Sequence, residues 1–186
     1  MSDLLIRDAT EDDWPSIWSF LRIVIGAGET FTWDRDTDEP TARRRWMHEP
    51  PGVTLVAVDE AGAVHGTAEI HPNYGGPGRH VANAGFIVDP AHAGRGVGRA
   101  LGTHVIERAC RDGFESMVFN AVVETNTSAV ALWRSLGFSV LATIPRAFDH
   151  PTDGKVGLLV MHRDLRQTLI RDHTQSELRT SRISSP

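Results

Sequence analysis

Apolar residues recur along this chain with two different periods. At Trp14, Ile17, Trp18, Leu21, Val24 and Ile25 the step is three or four, the period of a helix that buries one face. Thr10 followed by Asp13 puts a hydroxyl cap and an acid at its start. Pro15 falls in the first turn, where it is tolerated, and Gly26-Ala27-Gly28 ends it. The same period returns at Val97, Ala100, Leu101, His104, Val105 and Ala109, closed by Asp112-Gly113. It returns again at Ala129, Leu132, Trp133 and Leu136, closed by a C-capping Gly137. A short helix from about Glu39 to His48 carries Arg43-Arg44-Arg45. Strand-like runs are Leu4 to Ile6, Val53 to Val58, Ala63 to Ile70, His80 to Val88, Met117 to Val123, Phe138 to Ile144 and Val156 to Met161. The second and third flank the turn Asp59-Glu60-Ala61-Gly62 and predict a hairpin. Residues 29–34 and 72–78 have no clean period and read as loops.

The resulting order is β α α β β β α β α β β. Layer rules turn it into an α/β (α+β) fold, a mixed sheet of about six to seven strands with helices on both faces. One domain is expected over residues 1–165, followed by a polar tail over 166–186 that reads as a short helical stub and a frayed end. Composition adds exclusions. A net charge of 19 − 24 = −5 argues against a nucleic-acid binder, which needs a basic face. No apolar run approaches a membrane span, and the first residues lack a signal-peptide core. One cysteine, Cys110, leaves no internal disulfide and points to the cytoplasm; beside Ala109 it reads as a small buried hydrophobe. The nine histidines show no ligand spacing, so no metal site is expected.

The most informative stretch runs from Val88 to Leu101. Gly94, Gly96 and Gly98 alternate between a strand and a helix start, where free backbone N–H groups make a site for phosphate or pyrophosphate. A dinucleotide fingerprint wants a third glycine where Leu101 stands, and near the first strand. A Walker A loop needs Gly-Lys-Ser/Thr, which the chain lacks.

Val88-x-Pro90 and the turn ending Gly96-Val97-Gly98-Arg99-Ala100-Leu101 resemble motif A of the Gcn5-related N-acetyltransferase (GNAT) superfamily. Asn126-x-x-Ala129-x-x-Leu132-Trp133-x-x-x-Gly137-Phe138 resembles its motif B. The resemblance covers roughly residues 4 to 162. It implies a mostly antiparallel GNAT-type sheet, acetyl-CoA as cosubstrate and a small-molecule amine as acceptor. The implied cosubstrate site is Phe86, Ile87, Val88, Ala93, Gly94, Arg95, Gly96, Val97, Gly98, Arg99, Asn126 and Trp133. Two departures stand out. Ala93 replaces the usual Gln or Arg, which leaves the cradle to backbone amides, with Arg95 and Arg99 to supply cations. Trp133 replaces the usual Tyr, and indole is no useful proton donor at neutral pH. Within the superfamily, Asn83-Ala84-Gly85-Phe86 and Phe119-Asn120-Ala121-Val122-Val123-Glu124-Thr125-Asn126 look like the proline-analogue (azetidine-2-carboxylate) N-acetyltransferases.

Acetyl transfer needs a neutral amine, a polarised carbonyl and a stabilised thiolate. A backbone N–H near Ile87 or Val88 can serve the carbonyl, and the Asn126 amide can serve the thiolate. Glu69, His71 and Glu124 are candidates to take the amine proton. Glu69 and His71 alternate, so they share a strand face, exposed by default. The resemblance to the proline-analogue enzymes implies Asn83, Asn120 and Ala121 at the substrate; Asn83, Glu124 and Asn126 are expected in catalytic roles. Phe31 and Trp33 serve either as acceptor-pocket walls or as core. Asn83 and Asn120 equally suit a structural hydrogen-bonded pair, and Asn126 a plain N-cap. Alternatives are an acetyltransferase for an antibiotic-like amine such as phosphinothricin, or a CoA-binding module without catalysis. A homodimer is a further expectation from the resemblance.

Overall fold

The computed structural model describes residues 4–166. Along them run β1 (Leu5–Asp8), α1 (Trp14–Ala27), α2 (Glu39–Trp46), β2 (Val53–Val58), β3 (Val64–Pro72), β4 (Val81–Val88), α3 (Val97–Arg111), β5 (Ser116–Val123), α4 (Thr127–Ser135), β6 (Ser139–His150) and β7 (Gly154–Asp164). Among the described residues the strands form one sheet in the order β1-β2-β3-β4-β5-β7-β6. Only the β4–β5 pairing is parallel. No helix of the described residues is long and apolar enough to cross a membrane. The expected tail lies outside them beyond Arg166.

Strand alternation sends successive side chains to opposite faces, and each face is covered. Leu55, Ala57, Ala68, Ile70 and Ala82 pack with Val97, Leu101 and Val105 of α3 and with Trp133 of α4. Val56, Val58 and Ile87 pack on the other side with Ile17, Leu21 and Ile25 of α1 and Ala42 and Trp46 of α2. The α1 start is held by Asp13, which accepts from the Thr10 N–H (2.7 Å) and from Arg7.

Several boundaries differ from the periodicity; β1 and β3, for example, each run two residues further, to Asp8 and Pro72. The second helix stops at Trp46, two residues early, and Met47 is extended. Strand β6 continues past Ile144 to His150. It is an edge strand, and Pro145 falls in the stretch between Ile144 and Phe148 where the register shifts and no partner is paired with it. Strand β7 reaches Asp164, and Leu165 is fully buried, although the sequence turns polar from Arg163.

Candidate functional site

The site begins as a fault in the sheet. Strands β4 and β5 pair only at Val81↔Ser116 and Ala82↔Met117, then diverge. A cleft of about 1130 Å³ opens between them and runs from the α3 N-terminus to the aromatic residues of the α1–α2 connection and α2.

The divergence frees one edge of β4. Asn73 donates to Val81 O (2.8 Å) and Asp89 donates to His65 O (3.0 Å). Antiparallel bonding alternates, so the odd-numbered residues of β4 bond β3 and the even-numbered ones face the cleft. Ala84 N–H, on that edge, is taken by the Asn83 side chain at 2.9 Å. The amides of Phe86 and Val88 face the opening, whereas Ile87 faces β3 and is 2 % exposed. Of the two amides the sequence offered for the carbonyl, Val88 is the one on the correct edge.

Beyond Val88 the chain turns through Gly94 (φ 73°) and Gly96 (φ 85°), left-handed conformations that favour glycine. Gly96 caps α3 without a side chain. The first bond into the helix is from Ala100 N–H to Gly96 O (3.0 Å). The amides of Val97, Gly98 and Arg99 precede it and have no partner within the helix. Ala93, Gly94, Gly96, Val97, Gly98 and Arg99 line the cleft. Arg99 also donates to Ser135 Oγ (2.9 Å). Arg95 is exposed and is not among the lining residues.

Helix α4 brings the second wall. Asn126 Oδ1 caps it, accepting from Ala129 N–H at 3.2 Å, which leaves the amide NH₂ as the donor end. Trp133 is 7 % exposed, packed against Phe86 and Phe119 at centroid distances of 4.6 and 4.9 Å, and its surface still lines the cleft. Glu124 departs from its expected place. Its carboxylate accepts from Gly157 N–H on β7, and it does not line the cleft. The register shift of β5 against β7 between Phe119 and Val122 accompanies that placement.

The acceptor end gathers residues far apart in sequence. Phe31, Trp33 and Trp46 meet edge to face at 5.9–6.2 Å, with the Arg45 guanidinium 5.3 Å from the Trp33 ring. Phe31 and Trp33 are thus both pocket wall and partly buried core. Asn83, Asn120 and Ala121 line the same end. The alternative of a hydrogen-bonded Asn83–Asn120 pair is not what the structure shows: Asn83 accepts from Ala84 N–H. Asn120 instead exchanges hydrogen bonds with Asn73, at 2.6 and 3.3 Å.

Glu69 corrects one expectation. It shares a strand face with His71, but it is 8 % exposed rather than solvated. It fits beneath Gly85, where a Cβ would stand 2.7 Å from Glu69 Oε1. His48, carried past the early end of α2, closes on the same carboxylate. Its Nε2 lies 3.1 Å from Glu69 Oε2, and His71 Nε2 lies 3.5 Å away. These ligand-type atoms all fall within 4.8 Å of one another. The absence of metal-ligand spacing in the sequence therefore did not foresee this grouping. Trp46 and His48 carried no sequence signal either, because only the fold brings them to the cleft, and only the fold sets Asn73 against Asn120.

Comparison with known proteins places this architecture. Residues 13–138 match the model of the acetyltransferase (GNAT) family. An N-acetyltransferase of Schizosaccharomyces pombe is 38% identical over 89 residues. That match spans 48% of this chain and 43% of the yeast protein, less than half its length. The L-methionine sulfoximine/L-methionine sulfone acetyltransferase of Salmonella typhimurium is 31% identical over 117 residues, 61% of this chain and 68% of that protein. A GCN5-related N-acetyltransferase from Kribbella flavida superposes with a TM-score of 0.84 at 53% identity, covering 87% of this chain and 97% of that one.

Proposed function

This chain belongs to the acetyltransferase (GNAT) family, and we propose that it moves the acetyl group of acetyl-CoA directly to the amine of a small amino acid or proline analogue. The carrying observation is the continuity of one cleft. A glycine-capped helix start suited to pyrophosphate opens onto the unpaired edge of β4, and that edge leads to a polar, aromatic-walled end. The expected pyrophosphate partners are the amides of Val97, Gly98 and Arg99.

The residues have consistent roles in such a transfer. The amine nitrogen attacks the thioester carbon, forming C–N. The carbonyl oxygen, becoming an oxyanion, takes the outward amide of Phe86 or Val88. Collapse breaks C–S, and the Asn126 NH₂ donates to the departing thiolate. Overall an ammonium and a thioester give an amide, a thiol and one released proton. Glu69 and His71, with His48 beside them, are the proton-accepting groups at the acceptor end. Glu124, held by Gly157, has no part in this scheme.

The amino-acid acceptor is supported by Asn83 and Asn120, neutral hydrogen-bonding groups at the cleft end. It is supported also by the substrate named for the Salmonella relative. The test is thiol release from acetyl-CoA across a panel of imino acids, methionine sulfone and phosphinothricin, with Asn120→Ala as control. We expect turnover with an imino or amino acid and at least a tenfold loss of kcat/KM in the variant, about 1.4 kcal/mol. Unaltered turnover in Asn120→Ala removes that residue from the acceptor site. Acetyl-CoA binding with no turnover on any amine would instead favour a CoA-binding module, the reading that Trp133 in place of a phenol supports.

A further inference from the structure

We propose that His48, Glu69 and His71 form a divalent-cation site, taking zinc or cobalt(II), at the acceptor end of the cleft. The donor set is two imidazoles and one carboxylate, a combination that suits zinc with one position left open. Tetrahedral zinc with bonds of about 2.0–2.2 Å separates its ligand atoms by roughly 3.3 Å. The distances from Glu69 Oε2 to the two Nε2 atoms, 3.1 and 3.5 Å, bracket that figure.

A second observation points the same way. Glu69 is more than nine-tenths buried, and its Oε2 has no hydrogen-bond partner despite both nearby imidazoles. The three groups converge without hydrogen-bonding one another. Among the described residues no lysine or arginine lies in ion-pair range of Glu69, and Arg45 is spent on Trp33. With both imidazoles neutral the buried carboxylate has no counter-charge, and a cation between the three atoms supplies one.

The surroundings also orient the ligands. His71 Nδ1 lies 2.9 Å from Pro72 O. A proton on Nδ1, donated to that carbonyl, leaves the Nε2 lone pair for the cluster, the outer bond that metal-ligating histidines characteristically make. His48 is positioned by its own backbone, whose N–H donates to Thr54 Oγ1 at 3.0 Å. All three residues line the cleft, so a cation held between them would be reached from it. A bound cation therefore occupies the place where an acceptor nitrogen would approach Glu69, and it competes with the acceptor. The binding is independent of the acetyltransferase reading; only this consequence rests on it.

The test uses the full chain after chelator treatment. Cobalt(II) is titrated while visible ligand-field absorbance is followed, and zinc is titrated by calorimetry. We expect one cation per chain, with an intense low-coordinate cobalt spectrum. Affinity should fall at least about tenfold in Glu69→Gln and in His48→Ala. Should the buried Glu69→Gln fail to fold, His48→Ala decides alone, since His48 lies between α2 and β2. Circular dichroism and acetyl-CoA binding verify that each variant is folded. Cobalt affinity unchanged in His48→Ala, or no saturable binding at micromolar metal, overturns the proposal. In turnover assays zinc should raise the apparent KM for the acceptor and leave that for acetyl-CoA unchanged; a rise for acetyl-CoA alone overturns the placement at the acceptor end. Absence of turnover with every amine would sink the acetyltransferase reading while leaving the cobalt result standing.

Discussion

Asp13 shows how much one side chain carries. Its carboxylate accepts two hydrogen bonds from the Arg7 guanidinium and one from the Thr10 N–H, at 2.7–2.8 Å. The Arg7 bonds, more than any other influence, hold its pKa down to about 2. An unfolded aspartate titrates near 3.9, so the folded state prefers the charged form. The resulting stability is fully present above about pH 4 and is lost as pH falls through about 2. Asp13→Asn should cost about 1–2 kcal/mol at pH 6 through the weakened cap and the orphaned Arg7. The gap between variant and parent should shrink toward pH 2.5, measured as urea midpoints at both pH values. A gap that stays constant would show that Arg7 does not hold the charge. Sequence alone exposed this residue as a helix-start acid, because capping is local. Arg7 was not legible as its partner, because β1 and the turn before α1 must first fold together.

At the scale of elements, the α3–α4 contact decides the shape of the cleft wall. A Cβ at Gly102 would stand 2.6 Å from Leu136 Cδ1 and 3.1 Å from Trp133 Cζ3. The leucine tip can move, but the indole is wedged against Phe86 and Phe119. Gly102→Val should therefore destabilise by about 1–3 kcal/mol through overpacking. Gly102→Ala should cost less, because about 1 kcal/mol of helix propensity offsets the crowding. Thermal melts of the two variants give the order; equal stability of Val and parent would mean that the helices separate freely. Helical periodicity placed both helices, but it was silent on their close approach, which depends on where each lands on the sheet. The α2 boundary is a similar case. Two residues of over-extension in the helix reading would have kept His48 on α2, away from Glu69.

At the scale of the molecule, the cleft couples ligand to fold. Acetyl-CoA bound only by the native chain, at about 100 times its Kd, adds about 2.7 kcal/mol of stability. For a chain of this size each kcal/mol raises Tm by about 2–4 °C, so a rise of roughly 5–10 °C is expected in a thermal-shift assay. Acetyl-CoA at saturating concentration with no rise would count against the proposed function. The element order and the two-faced sheet were legible in the chain because alternation and helical period are properties of neighbours. So were the glycine turn and the Asn126 cap, each built from consecutive residues. Tertiary structure alone decided the rest. It chose which edge of β4 faces the opening, because that depends on pairing with β3. It drew Glu124 onto Gly157 and gave Asn120 the partner Asn73. It also brought His48 onto the Glu69–His71 face of β3, all within 4.8 Å, since a residue beyond α2 meets that strand only once the chain has closed over the sheet.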